Sequence, residues 1–184
     1  MNTQKIVFLD RDGVINRYPG DKNYVTKWQE FYFLPNSLEA ICRLTQQNYA
    51  VKIISNQAGI GKGIYTQESL DEITRRMLAE VEKQGGRMEV YYCPHRQEDN
   101  CDCRKPKTGL FLKAVKGEKI NFRDTYFVGD ADTDIEAGKN IGCKTILIGC
   151  GRTKLEDSRK WDIKPDYFAK DLCEASRIIL DDGK

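Results

Sequence analysis

The chain has 184 residues, 40% hydrophobic and 32% charged, with 30 Lys and Arg against 28 Asp and Glu for a formal net charge of +2. That length fits one domain, expected over residues 1–184, large enough to bury about 70% of its unfolded surface without staples. The near-neutral balance argues against bulk nucleic-acid binding, the single histidine excludes any two-histidine mechanism, and no apolar run approaches the ~18 residues of a membrane span.

The N-terminal stretch leads straight into a strand-like run with no apolar signal segment, so a cytoplasmic location is expected. Lys5 to Leu9 reads as a buried strand. Asn36 opens a helix, with Glu39 completing a capping box and Leu38, Ile41 and Leu44 on one face. Tyr49 to Ile54 reads as a second strand. Thr66 caps a longer helix on which Leu70, Ile73, Met77 and Val81 recur at helical spacing, ended by Gly85-Gly86. Glu89 to Tyr92 is a short third strand, Gly109 to Val115 a helix, and Thr125 to Val128 a fourth strand. Thr133 with Glu136 forms another capping box, Thr145 to Ile148 a fifth strand, and a helix from about Asp171 to Leu180 follows. Strand alternating with helix predicts an α/β fold, a Rossmann-like parallel sheet with helices on both faces. Two long loops, Gly13 to Pro35 and Cys93 to Thr108, are functional candidates.

In such a sheet ligands bind at the carboxyl ends of the strands. The first strand ends in Asp10-Arg11-Asp12-Gly13, the second in Ser55-Asn56-Gln57, and the fourth in Gly129-Asp130-Ala131-Asp132-Thr133-Asp134. Parallel strands bring these ends to one rim, where converging carboxylates need a cation between them. Mg²⁺, a hard ion that prefers oxygen and leaves room for phosphate oxygens, suits that place. Asp10 and Asp12 can share a pocket with separate jobs, one attacking and one exchanging protons. Asp134 reads equally as a helix N-terminal acid favoured by the dipole and as support for the metal.

A second constellation is Cys93-Pro94-His95, five residues, then Cys101-Asp102-Cys103. Three thiolates and an imidazole make a closed tetrahedral Zn²⁺ set, which implies a structural role. Gln97, Glu98, Asp99, Asn100 and Asp102 make the loop too polar for a core, so the metal would supply its ordering free energy and aim the adjoining Arg104 and Lys105. Cys42, Cys143, Cys150 and Cys173 read as buried packing. The glycine-rich Gln57 to Gly63 lacks the spacing of a nucleotide P-loop and reads as a flexible substrate-side loop. Trp28, Phe31, Tyr32 and Phe33 read as packing, and Lys113, Lys116 and Lys119 as a solvated face.

Phe8-Leu9-Asp10-Arg11-Asp12-Gly13-Val14-Ile15-Asn16, Ile54-Ser55-Asn56-Gln57, Arg104-Lys105-Pro106 and Val128-Gly129-Asp130 with Thr133-Asp134 resemble the four motifs of the haloacid dehalogenase (HAD) superfamily of phosphatases. The resemblance spans about residues 5–150, and together with the cysteine loop it is similar to the subfamily of heptose bisphosphate and histidinol-phosphate phosphatases. It implies Asp10 as the nucleophile forming an aspartyl-phosphate, and Asp12 as the acid that protonates the leaving alcohol and then activates water. It implies Mg²⁺ held by Asp10, Asp130 and the backbone carbonyl of Asp12, and Ser55 and Lys105 binding the transferring phosphoryl group. Arg11, Asn56, Gln57, Arg104 and Tyr24 are the implied substrate contacts. The chain is too short for a large inserted cap domain. Tyr24-Val25 and Gly59 to Tyr65 resemble the heptose enzymes, whereas the five-residue zinc spacer resembles the histidinol-phosphate enzymes. The heptose reading, hydrolysis of the 7-phosphate of D-glycero-D-manno-heptose 1,7-bisphosphate, is preferred. It departs from the pattern at Ala131, where heptose enzymes often carry a basic residue. The implied partner is a small phosphorylated sugar rather than nucleic acid or a membrane, and a monomer is expected. The reading of another class is a non-catalytic, zinc-organised binding module on the same fold.

Overall fold

The structure, a computed structural model, describes residues 4–183. Six strands form one wholly parallel sheet: β1 (Ile6–Leu9), β2 (Ala50–Asn56), β3 (Glu89–Cys93), β4 (Tyr126–Gly129), β5 (Lys144–Ile148) and β6 (Tyr167–Ala169), in the spatial order β3-β2-β1-β4-β5-β6. The helices are α1 (Ser37–Gln46), α2 (Gln67–Lys83), α3 (Gly109–Ala114), α4 (Asp132–Ile141) and α5 (Leu172–Asp182). The order reverses between β1 and β4, the point in such sheets at which ligands bind beyond the carboxyl ends of the strands. This is the expected α/β architecture, with one strand more than the sequence suggested.

The strands are apolar on both faces because both faces are covered. On one face Val7, Leu9, Val51, Ile53, Val128, Ile146 and Ile148 pack against Ala40, Ile41 and Leu44 of α1, Ile73, Met77 and Val81 of α2, and Leu172, Ala175 and Ile179 of α5. On the other, Ile6, Phe8, Ile54 and Phe127 meet Leu110, Phe111 and Ala114 of α3 and Ala137 of α4. Phe111 stands edge-on to both Phe8 and Phe127, with centroids 5.1 and 5.0 Å away. A strand's side chains alternate faces, so Lys52 also points to the α3 side and is fully buried. Its ammonium donates to the Ala114 carbonyl at the end of α3 (2.8 Å) and to Glu118 (2.6 Å), where the helix dipole favours a cation.

Two helix starts differ from expectation. Asn36 stands before α1 in the left-handed region (φ 61°) and its side chain caps nothing; Glu39 pairs with Arg43 instead. Helix α4 opens one residue before Thr133, and Asp134 in its first turn reaches back to accept from the N–H groups of Asp130 and Ala131, just ahead of the helix, at 3.1 Å each. The Thr66 cap forms as expected, with the Ser69 amide donating to its hydroxyl. Tyr32 and Cys150 are exposed rather than packed, and Cys42 is only half-buried. Trp28, Phe31 and Phe33 do form an aromatic cluster, with centroids 5.0–6.3 Å apart. Among the described residues no helix is long and apolar enough to cross a membrane.

Candidate active site

The end of β1 is tied to its neighbour by the Asp10 amide, which donates to the Val128 carbonyl (2.9 Å). That fixes Asp10 beside the residues that follow β4. Carboxylate oxygens of Asp10, Asp130 and Asp134 lie within 4.8 Å of one another, and all three residues are buried. The ammonium of Lys105 joins the group, 2.9 Å from Asp10 and 2.6 Å from Asp134. Burial would push its proton off, but Asp10 and Asp134 outweigh that and hold its pKa above the usual lysine value. The Asp10 carboxyl is pushed up to about 6, chiefly by burial, against the pull of Lys105. Asp130 is raised too, by burial first and then by Asp134 and Asp10.

Three crowded carboxylates and one ammonium leave excess negative charge in a dry place. A hard divalent cation with oxygen ligands relieves it, so the donor set fits Mg²⁺. The side chain of Asp12 lies outside this cluster. Asp134 takes the helix N-terminal place offered for it, accepting from the amides of Asp130 and Ala131 through one oxygen, and pairs with Lys105 through the other. The cluster also explains a glycine. Gly13 sits at φ +88°, and a Cβ there would lie 1.8 Å from Asp130 Oδ2.

Asp12 has a different environment. Its Oδ2 accepts from Arg11 (2.9 Å) and Gln57 (2.9 Å), and its Oδ1 from Asn16 (2.8 Å). Burial pushes its carboxyl up, yet the Arg11 charge and these hydrogen bonds prevail and hold it below the usual range. Arg11 departs from the expected substrate contact. It is fully buried, with its guanidinium between the rings of Phe31 and Tyr92, 6.0 and 5.6 Å from their centroids. It orients Asp12 from below rather than reaching the pocket mouth.

Gln57 and Asn56 are likewise committed internally. The buried Gln57 amide donates to Asp12 and to the Ser55 hydroxyl (3.1 Å) and accepts from Arg11 and from the Tyr65 hydroxyl (2.6 Å). It therefore links the two carboxyl-end motifs. Asn56 exchanges two hydrogen bonds with the backbone of Lys105, at 3.2 and 3.1 Å. The Gln57 to Gly63 loop is buried at its start and exposed from Gly61 onward, and it is tied to the second loop where Gly61 donates to the Pro94 carbonyl (3.0 Å) and a Cβ on Gly61 would meet that same oxygen at 2.7 Å. Tyr24 is half-buried against Tyr65, centroids 6.1 Å apart, with Lys62 over its ring.

Cys93, at the end of β3, joins His95, Cys101 and Cys103 in a second cluster. Cys93 and Cys101 sulfurs are 3.6 Å apart, Cys101 and Cys103 3.4 Å, and His95 Nδ1 lies 3.2 Å from the Cys103 sulfur. A tetrahedron of ~2.3 Å zinc–sulfur bonds has sulfurs roughly 3.8 Å apart, so the four groups stand near the corners zinc requires. Two residues beyond Cys103 comes Lys105, and the half-buried Arg104 donates to the His95 carbonyl (3.4 Å).

Three contributors escaped the sequence reading of the site. Asn16 lies inside the first motif but was given no role there. Tyr65 reaches Gln57 from eight residues away. The Arg152 amide donates to Asp130 Oδ2 at 2.6 Å; the preceding Gly149-Cys150-Gly151, just past β5 at the same rim, was the available signal.

Comparison with known proteins agrees with this arrangement. The HAD-hydrolase-like family model matches residues 102–175. A D-glycero-beta-D-manno-heptose-1,7-bisphosphate 7-phosphatase of Pseudomonas putida is 37% identical over 149 residues, covering 80% of this chain and 84% of its own. One of Pasteurella multocida is 33% identical over 184 residues, covering 96% and 97%. The crystal structure of D,D-heptose 1,7-bisphosphate phosphatase from B. bronchiseptica, complexed with magnesium and phosphate, matches with a TM-score of 0.89 and 29% identity over 97% of this chain and 99% of that one.

Proposed function

The chain belongs to the HAD-like family of D-glycero-D-manno-heptose 1,7-bisphosphate 7-phosphatases, and from that membership we propose that it removes the 7-phosphate of this sugar bisphosphate through an aspartyl-phosphate on Asp10. The observation that carries the reading is the pairing of two unlike carboxylates at one rim. Asp10 sits among Asp130, Asp134 and Lys105; Asp12 sits two residues on, in a separate nest of Arg11, Asn16 and Gln57.

Asp10, Asp130 and the Asp12 carbonyl would hold Mg²⁺, which neutralises charge on the transferring phosphoryl group. Lys105 and Ser55 bind the same group. Asp10 attacks phosphorus and the bond to the C7 oxygen breaks. Asp12 gives that oxygen a proton, then takes one from the water that cleaves the acyl phosphate. Arg11, Asn16 and Gln57 keep Asp12 ionised in the free protein, the form the second step needs. The arriving phosphate's negative charge raises its proton affinity for the first. Four protein ligands leave zinc no open position, so its place in the proposal is structural. Arg104, held by the zinc loop, is the proposed contact to the non-reacting phosphate, with Tyr24 at the substrate side. A monomeric state and a cytoplasmic location belong to the same proposal.

Phosphate release from the heptose bisphosphate, histidinol phosphate and an aryl phosphate, with Mg²⁺ and after its chelation, tests the reading. The bisphosphate is expected to exceed histidinol phosphate at least tenfold in kcat/KM, with turnover lost on chelation. A preference for histidinol phosphate would transfer the chain to that activity. No turnover of any of the three would leave a binding module.

A further inference from the structure

Position 131, directly after Asp130, is an alanine, so the rim next to the metal carboxylates lacks a cation from α4. A cationic residue approaches Asp130 from the segment after β5 instead. Beyond β5 the chain folds back over Asp130: the Arg152 amide donates to its Oδ2 (2.6 Å) and the Thr153 amide to its main-chain carbonyl (3.2 Å). A Cβ on Gly151 would lie 2.3 Å from Asp130 atoms. Arg152 thus begins its side chain at the edge of the reaction centre.

That side chain is engaged with the long loop after β1. Its Nε lies 3.1 Å from Asp21 Oδ1, and the Tyr18 hydroxyl donates to the same oxygen (2.6 Å). Gly20 and Lys22, on either side of Asp21, are both in the left-handed region (φ 101° and 64°), a tight turn that presents the carboxylate. Burial and the Asp21 hydrogen bond push the Tyr18 phenol up to about 12, and the nearby charge of Asp130 adds to it. The same loop also packs Tyr24 against Tyr65, whose hydroxyl donates to Gln57 beside Asp12.

We propose that Arg152 is a specificity-determining residue for the bisphosphate: in the free protein its guanidinium rests on Asp21, and the non-reacting phosphate takes it over and releases Asp21. This rests on the function proposed above. Exchange is favoured because the two partners are unequal. The Arg152 and Asp21 side chains are 50% and 72% exposed, and such ion pairs are weak and screened. A phosphate dianion offers the guanidinium two parallel, charge-assisted hydrogen bonds. Arg152 and Arg104 would then approach the substrate from different loops.

The two halves of the ion pair separate this from a simple clasp, because exchange gives their substitutions opposite signs. The test is steady-state kinetics of the full chain with Mg²⁺, using heptose 1,7-bisphosphate and heptose 7-phosphate, with folding checked by circular dichroism. Arg152→Ala is expected to raise KM for the bisphosphate about tenfold, the factor that corresponds to 1.4 kcal/mol, and to change KM for the monophosphate far less. Arg152→Lys recovers part of the loss. Asp21→Asn, which removes the competitor, is expected to lower KM for the bisphosphate about threefold. If Arg152→Ala and Asp21→Asn both raise KM, or change the two substrates by equal factors, Arg152 is a clasp and the inference fails alone. If the wild-type protein does not prefer the bisphosphate, the proposed substrate fails and takes the inference with it.

Discussion

Asp10 and Asp12 lie two residues apart, yet their surroundings move them in opposite directions. Asp10 is raised to about 6 by burial among like charges, while Asp12 is held low because an arginine and two amide groups outweigh burial. This is the separation that a nucleophile beside a proton-transfer group requires. Asp10→Asn should fold normally and lose more than about a hundredfold in turnover, equivalent to ~2.7 kcal/mol of transition-state stabilisation, because an amide cannot attack phosphorus; rate assays beside circular dichroism check this. Asp12→Asn should slow a sugar phosphate much more than an aryl phosphate, whose leaving group needs little protonation. Equal losses on the two substrates would remove the acid role.

Among the elements, the zinc loop joins β3 to α3 and carries Lys105, which pairs with Asp10 and Asp134. Its anchors are the Gly61 amide on the Pro94 carbonyl and the reciprocal pair between Asn56 and Lys105. Its apolar hold runs through the ligand side chains themselves, Cys93 within the core under α3 and Cys101 and Cys103 packed against it, and the polar stretch between them is expected to take its order from the metal. The purified protein is expected to hold about one tightly bound zinc per chain, measurable by elemental analysis and distinct from exchangeable Mg²⁺. Cys101→Ser should lose that zinc and reduce activity by loosening Arg104 and Lys105. A variant that loses zinc and keeps full turnover would show that the loop holds its shape without it.

For the whole molecule, the sheet order places β1 beside β4 and so decides which motifs meet. The far edge is completed by β6 and stitched back by Asp166, whose carboxylate accepts from the Thr145 amide (2.7 Å) and hydroxyl (2.9 Å) and pairs with Lys139 of α4. Burial would raise this carboxyl, but the hydrogen bonds from Lys139 and Thr145 prevail and hold it below its usual 3.8. A carboxyl depressed in the folded state stabilises at all pH above its unfolded value and stops doing so as pH falls through the folded one. Asp166→Asn should therefore lower the melting temperature by an amount that holds from pH 7 to about 5 and shrinks below about 4. A gap that persists unchanged at the lowest pH would place the effect outside the charge.

The sequence by itself determined the elements whose signals are local: five strands as short, largely apolar runs, the Thr66 cap, and the face of α2 carried by Leu70, Ile73, Met77 and Val81. It also brought out the Cys93–His95–Cys101–Cys103 group, whose members fall within eleven consecutive residues, and the pairing of Asp10 with Asp130 just past strands whose ends share a rim, while leaving open the place of Asp134 beside them. It missed β6, three residues of which Phe168 is half exposed, since an edge strand that short has no periodicity of its own. Only the tertiary structure decided where the polar side chains point. Arg11, Asn56 and Gln57 occupy motif positions that suggest substrate contact, but parallel packing of β1, β2 and β3 turns them inward onto Asp12 and the Lys105 backbone. Arg152 joins Asp130 from more than twenty residues away through a chain reversal after β5. Such a contact is fixed by where two loops meet above a sheet, and it leaves no mark in the spacing of residues along the chain.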